Sequence, residues 1–365
     1  MISTDTLRHF QPDYTTAKAH FLAVATKAGT PLAHPVAHTG PHGETLASHS
    51  LWLGPEHARR VLVLLSGTHG VEGLCGSALQ CDLLAQLHTG TLRLPADTAC
   101  LMVHLLNPWG CAWLRRCDQQ GIDLNRNFMD FSKPLPDNPG YTVLRDQLFN
   151  TDAAARRQAL HEYAERYGRT ALEIAVSGGQ YHDPAGPFYG GTAPAEANLL
   201  IRHLMARYAL AQRQLAVIDL HTGLGPYGYG EIICDHPLDS AGTATAQQWY
   251  GEAVTLPAAG TSSSVPKEGL LDYAWHRIMG AGSCFVTLEF GTYSTDQLFD
   301  IILADHQLHR HGLPPWQAPE TQRVKSAMQA HFCPARQQWQ ELAVFRTRQV
   351  VRLALAGLAH PEDPS

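Results

Sequence analysis

Two rhythms of apolar residues run along this chain. Continuous apolar stretches that end in glycine, asparagine or histidine predict buried strands at 60–65 (RVLVLL), 100–106, 214–220 (QLAVIDL) and 284–290 (CFVTLEF). Residues 46–53 predict a first strand, and 231–234 and 253–256 predict two short ones. Apolar residues at helical spacing predict helices over 71–88, 195–211, 270–279 and 295–311. Residues 141–176, rich in Ala, Arg, Glu and Leu, read as a helical insertion between the Pro/Gly-rich stretches 134–140 and 184–194. Beyond Pro319 the chain reads as mostly helical to about 358. Strands and helices that alternate in this way give an α/β fold. The simplest organisation is one domain over 1–365, with its core at about 43–312, the insertion at about 141–176 and a helical C-terminal segment at about 319–358.

Composition narrows the function classes. Hydrophobic residues make up 44% and charged residues 16% of 365 residues, a globular balance. A formal charge of −6 argues against a general nucleic-acid binder, whose footprint is basic. The clean apolar runs fall far short of the ~20 residues that a membrane helix needs. The first ten residues lack the charged start and apolar stretch of a leader. A soluble, cytoplasmic protein is expected. Eight cysteines occur without any C-x-x-C spacing, which predicts reduced structural thiols and neither a zinc ribbon nor a redox pair.

The residues that carry chemistry stand at three strand ends: His69-Gly-Val-Glu72, Asp219-Leu-His221 and Leu288-Glu289-Phe290. Open α/β sheets gather ligands at the carboxyl edges of their strands, so groups far apart in sequence can converge there. Two histidines and one carboxylate form a catalytic zinc set that leaves a fourth position for water. A bound zinc ion makes that water acidic near neutral pH, and a neighbouring carboxylate, here Glu289, takes its proton. Taken alone, H-x-x-E is a common chance match and a strand-end histidine is usually structural. It is the combination that changes the odds. Downstream stand Asn107-Pro108, Arg115-Arg116 and the run Gly121-Ile-Asp-Leu-Asn125-Arg126-Asn127-Phe128. An arginine fork there can bind a carboxylate through two bonds or polarise a carbonyl.

The series SGTHGVEG, NPWGCAWLRR, GIDLNRNF, DLHTGLGPYGYG and LEFGT, over about 60–295, resembles the M14 superfamily of zinc carboxypeptidases. More narrowly it resembles the bacterial M14-like metallopeptidase subgroup DUF2817. The stretch from Phe188 to Glu196 resembles the segment that precedes the third ligand in that family. The resemblance implies a mixed twisted β-sheet flanked by helices on both faces. It implies one zinc ion held by His69, Glu72 and His221, with Glu289 as general base and Arg116, or Arg115, polarising the scissile carbonyl. Asn125 and Arg126 match the pair that holds the substrate carboxylate, and Tyr293 is the candidate for a tyrosine that closes over substrate. The expected activity is hydrolysis of an amide or peptide bond near a carboxylate, on a small peptide or N-acyl amino acid.

Three rival readings compete with this one. An N-acyl amino acid deacylase resembling aspartoacylase and succinylglutamate desuccinylase shares H-x-x-E, D-L-N-R and a late strand glutamate. A non-catalytic metal-binding module would have lost a ligand or the base, yet all four positions carry competent residues. Gly223-Leu-Gly225-Pro-Tyr-Gly228 matches a dinucleotide fingerprint, but Pro226 and the strand-like EIIC that follows predict a loop beside the metal instead of a helix start. No G-x-S-x-G elbow supports a serine hydrolase.

Overall fold

A computed structural model describes residues 2 and 4–359. Of the N-terminal stretch read for a leader, Met1 and Ser3 lie outside the described residues. Eight strands form one mixed sheet: β1 (Leu32–Thr39), β2 (Thr45–Leu53), β3 (Arg60–Ser66), β4 (Thr98–His104), β5 (Gln214–Gly223), β6 (Gly230–Ile233), β7 (Val254–Thr255) and β8 (Cys284–Gly291). Their spatial order is β1-β2-β4-β3-β5-β8-β6-β7. The central strands β4, β3, β5 and β8 run parallel, while β2 and β6 join them antiparallel. The α/β expectation holds.

The continuous apolar runs are explained by burial on both faces of the sheet. In β3, Leu62 and Leu64 pack into one core, while Val61, Val63 and Leu65 pack into the other. The first core is covered by the helices Tyr14–Ala25, Gly73–Thr89, Ala241–Tyr250 and Gln337–Ala359, the second by Glu196–Arg207 and Asp272–His276. No described helix is long and apolar enough to cross a membrane. Seven cysteines are buried and Cys333 is half-buried, all as free thiols.

The sequence reading missed β1 and the helix Tyr14–Ala25. β1 (LAHPVAHT) lies at the sheet edge and is mostly open to solvent, so it lacks an apolar rhythm, and only an edge strand tolerates Pro35. The helical stretch expected over 141–176 consists of three helices, Pro139–Leu148, Ala153–Tyr167 and Arg169–Ser177. Asp152 caps the second through the amides of Ala154 and Ala155, and Gly168, at φ 92°, breaks the chain between the second and third.

Candidate active site

Strand alternation delivers the site. Along β5, Leu215 and Val217 point into the second core, so Asp219 and His221 continue on that same side as the strand emerges from it. In β8, Phe285 plays the same part for Glu289. The two strands are parallel neighbours, and His221 pairs with Glu289 in register. β3 lies on the other side of β5, and its chain turns at Gly67 into His69 and Glu72, just before the helix Gly73–Thr89. This turn admits no larger residue at Gly70, where a Cβ would stand 2.1 Å from the backbone carbon of Gly110.

That close approach joins the turn to the NPWGCAWLRR segment. The amides of Gly70 and Val71 donate to the carbonyls of Arg116 (3.1 Å) and Arg115 (2.8 Å). Asn107 caps the short helix Pro108–Ala112 through the Gly110 amide at 2.8 Å. Arg116 is thereby aimed at the strand ends, with its Nε on Asp123 (2.8 Å) and its Nη1 on Glu72 (3.4 Å).

The ligating atoms of His69, Glu72 and His221 all lie within 4.8 Å of one another and are buried. The two Nδ1 atoms face each other at 3.2 Å. Glu72 reaches His69 Nδ1 at 2.9 Å and His221 Nδ1 at 3.2 Å, and its Oε2 accepts from the Thr222 amide at 3.0 Å. Each imidazole is backed by an aspartate: His221 Nε2 by Asp219 at 2.6 Å, His69 Nε2 by Asp123 at 3.2 Å. Asp219 is fixed in turn by the Thr68 hydroxyl at 2.9 Å.

This donor set fits a zinc ion. Bonds of ~2.0–2.1 Å in tetrahedral array set ligand atoms about 3.3 Å apart, matching the 3.2 Å between the facing nitrogens. An acceptor hydrogen-bonded behind an imidazole fixes its tautomer and orientation; Asp219 does this for His221, while Asp123 stands within ion-pair distance of His69 Nε2 without a hydrogen bond to it. Burial disfavours the Glu72 charge, yet the two imidazoles hold its carboxyl well below the usual range. Burial opposes Asp123 in the same way, and Arg116 with His69 prevails. Burial likewise lowers His221, but Asp219 and Glu72 outweigh it and the imidazole retains its proton well above the usual range.

Glu289 lines the same cleft as His69, Glu72 and His221. Burial and the neighbouring Glu72 charge push its carboxyl up to about 7. Its Oε1 accepts from the Leu224 amide at 3.0 Å. That amide belongs to the glycine loop after β5, where Gly223 and Gly225 take φ of 138° and 98°, conformations open to glycine. The loop leads into β6 and opens no helix, so the G-x-G-x-x-G match lacks the helix start that a dinucleotide fingerprint requires, and its Leu224 amide meets Glu289 instead.

Asn125 and Arg126 also line the cleft. Asp123 nucleates their turn by accepting from the Asn125 amide at 2.9 Å. Arg126 is fully buried and donates to the carbonyls of Ser177 and Asn125. Phe188 lies between the arginines, its ring 5.0 Å from the Arg116 guanidinium and 5.5 Å from that of Arg126. It takes φ of 55° to do so, a strained value for a bulky residue and one that accumulates at functional sites.

Two of the expected residues stand apart. Arg115 turns away from the cleft and binds Asp305 at 2.7 Å. Tyr293 is 40% exposed, packs on Tyr227 and His331, and does not line the cleft. The sequence reading quoted Asp123 and Asp219 without giving them a part. For Asp219 the signal was the D-x-H spacing on a strand, which puts both side chains on one face; Asp123, at the start of the turn Leu124–Arg126, carried none. Lys267 and Asp235, which also line the cleft, carried no such signal.

A family model described as "Protein of unknown function (DUF2817)" matches residues 10–346. The chain belongs to the DUF2817 family. No curated protein matches the sequence. Among solved structures, the DUF2817 chain is similar to a carboxypeptidase A from Helicoverpa armigera, at 14% identity and TM-score 0.48, covering 94% of this chain and 74% of that one. A metallo-carboxypeptidase from Burkholderia cenocepacia is 16% identical with TM-score 0.42, covering 91% and 69%. The murein-tripeptide amidase MpaA from Escherichia coli O157 is 17% identical with TM-score 0.37, covering 86% and 98%.

Proposed function

We propose that this DUF2817 protein is a zinc-dependent hydrolase of the M14 carboxypeptidase type, cleaving an amide bond next to a free carboxylate. The observation that carries the reading is the convergence of two Nδ1 atoms and a carboxylate within 4.8 Å, in the cleft that also holds Glu289. His69, Glu72 and His221 would hold the ion. When bound, zinc supplies a Lewis acid and makes water acidic near neutral pH.

The chain's own groups supply the remainder. Glu289, with a carboxyl poised at about 7, takes a proton from the attacking water and returns it to the leaving nitrogen. The water oxygen joins the carbonyl carbon as the carbon–nitrogen bond breaks. Arg116 is anchored by Nε and Nη1 and presents its remaining N–H groups to the carbonyl oxygen, where negative charge develops. Asn125 and Arg126 receive the substrate carboxylate.

The test is turnover of blocked dipeptides, with free or amidated C-termini, alongside zinc content by elemental analysis. Glu289→Gln is expected to keep the metal and lose about 10²–10⁴-fold in kcat. Unchanged turnover in that variant removes Glu289 as the base. Equal rates on free and amidated substrates remove the role of Asn125 and Arg126.

A further inference from the structure

Two charged side chains in the cleft take no part in the chemistry above. Asp235 follows β6, and Lys267 ends the loop 261–267. The Lys267 ammonium bonds to the Ser264 hydroxyl and, at 2.9 Å, to the Val265 carbonyl. Both partners are neutral. Among the described residues, the Asp235 carboxylate has neither a hydrogen-bond nor an ion-pair partner. The two groups feel each other's charge without bonding to each other. Both side chains are half-buried at the cleft wall, and partial desolvation pulls the ammonium down to about 8 and pushes the carboxyl up, as charges without a bonded counter-charge behave.

The loop carrying Lys267 is fixed. Glu231, buried in β6, accepts from the Ser262 hydroxyl at 2.8 Å, the Ser263 amide at 3.1 Å and the Ser263 hydroxyl. The Tyr273 hydroxyl donates to the Lys267 carbonyl at 2.9 Å. Of the other charges in the cleft, Glu173 is already bonded to Arg169 at 2.9 Å, and Glu72, Glu289, Arg116 and Arg126 belong to the chemistry above.

We infer that Lys267 and Asp235 select the substrate, and that they select a dipolar group, one offering an acceptor oxygen to the ammonium and an N–H donor to the carboxylate. Such a group is a second amino-acid head or a side-chain carboxamide. An apolar side chain leaves both charges enclosed and unpaired. A lone carboxylate meets Asp235, and a lone ammonium meets Lys267. Each of these is discriminated against by a mismatch that a dipolar group escapes. The inference rests on the hydrolase reading for what is cleaved, but not for what is bound.

The zinc-loaded full-length protein is assayed on blocked dipeptides ending in leucine, glutamate, lysine, glutamine or a diamino dicarboxylic acid. One of the last two is expected to exceed the first three in kcat/KM by at least about tenfold, and which of them leads identifies the source of the dipole. Lys267→Met is expected to abolish that ratio, and Asp235→Ala gives a second reading where the first variant fails to fold. A preference for leucine, glutamate or lysine, or a ratio that survives both substitutions, overturns the inference. If no peptide is cleaved, the hydrolase reading falls. Calorimetric binding of the free amino acids to the Glu289→Gln variant then decides the inference separately: tighter binding of a dipolar one sustains it, and equal affinities end it.

Discussion

Arg115 and Arg116 are chain neighbours that belong to two buried charge clusters of opposite character. Around Arg115 the charges close on each other. Its Nε holds Asp305 at 2.7 Å, Lys325 holds the other oxygen of the same carboxylate at 2.5 Å, and His309 meets Lys325 at 2.8 Å. Burial pulls both His306 and His309 down, so they sit there uncharged. Around Arg116 the carboxylates of Glu72 and Asp123 are also paired, but two imidazole nitrogens face each other beside an open cleft. A cluster whose donors and acceptors all answer one another holds the fold together. A cluster that turns two imidazole nitrogens and a carboxylate to a common point beside a cleft is built to receive something.

The sharpest way to break this contrast is to remove the carboxylate of the closed cluster. Asp305→Ala strands two buried cations and should cost about 3–5 kcal/mol of stability in denaturant titration. The soluble, folded fraction should retain its zinc content, and loss of zinc from that fraction would merge the two clusters into one. The neighbouring arginines sharpen the contrast next. Arg116→Met should lower kcat by about 10²-fold through the lost carbonyl contact, whereas Arg115→Met should lower the melting temperature by leaving Asp305 with one buried partner fewer and spare kcat of the folded enzyme. The expectation for Arg115 rests on its guanidinium turning away from the cleft onto Asp305, and similar kcat losses in both would argue against the division of labour.

A smaller effect is expected behind the ligands. Asp219→Asn should weaken zinc binding by about 10–100-fold, read by competition with a chelator. Undiminished affinity would reduce Asp219 to a structural role. The mildest test is acid. Burial works against the Asp305 charge, but Lys325 and Arg115 hold its carboxyl below the ordinary range. Its folded value therefore lies under its unfolded value of about 4. The resulting stability is complete above that pH and fades as pH falls toward the folded value. The Asp305→Asn, Lys325→Met double variant should show a flatter fall in melting temperature below about pH 4; an unchanged slope would place the acid sensitivity elsewhere.

How much was legible follows from which forces write themselves into sequence. The four parallel strands announced themselves because each is buried on both faces and must be apolar throughout. His69, Glu72, His221 and Glu289 could be singled out because each stands where such a run stops. β1 left no trace, since an exposed edge strand with a proline has no burial to record. The preference for Arg116 over Arg115 came from the family resemblance and not from the residues, because which of two adjacent side chains turns toward the cleft depends on Asp305, 190 residues away in the chain. Lys267 and Asp235 escaped for a related reason: neither is bonded to a counter-charge, and only the assembled cleft reveals that.

Glu231 stands opposite Glu289 in the β6–β8 register, and it clasps the serine loop that ends in Lys267. One strand pair thus carries Glu289 on one strand and the anchor of the loop 261–267 on the other. Glu231 holds Ser262 and Ser263 and leaves the side chains at 264–267 out of that anchor, so on the proposed reading the groups a substrate meets can change while Glu289 stays in place.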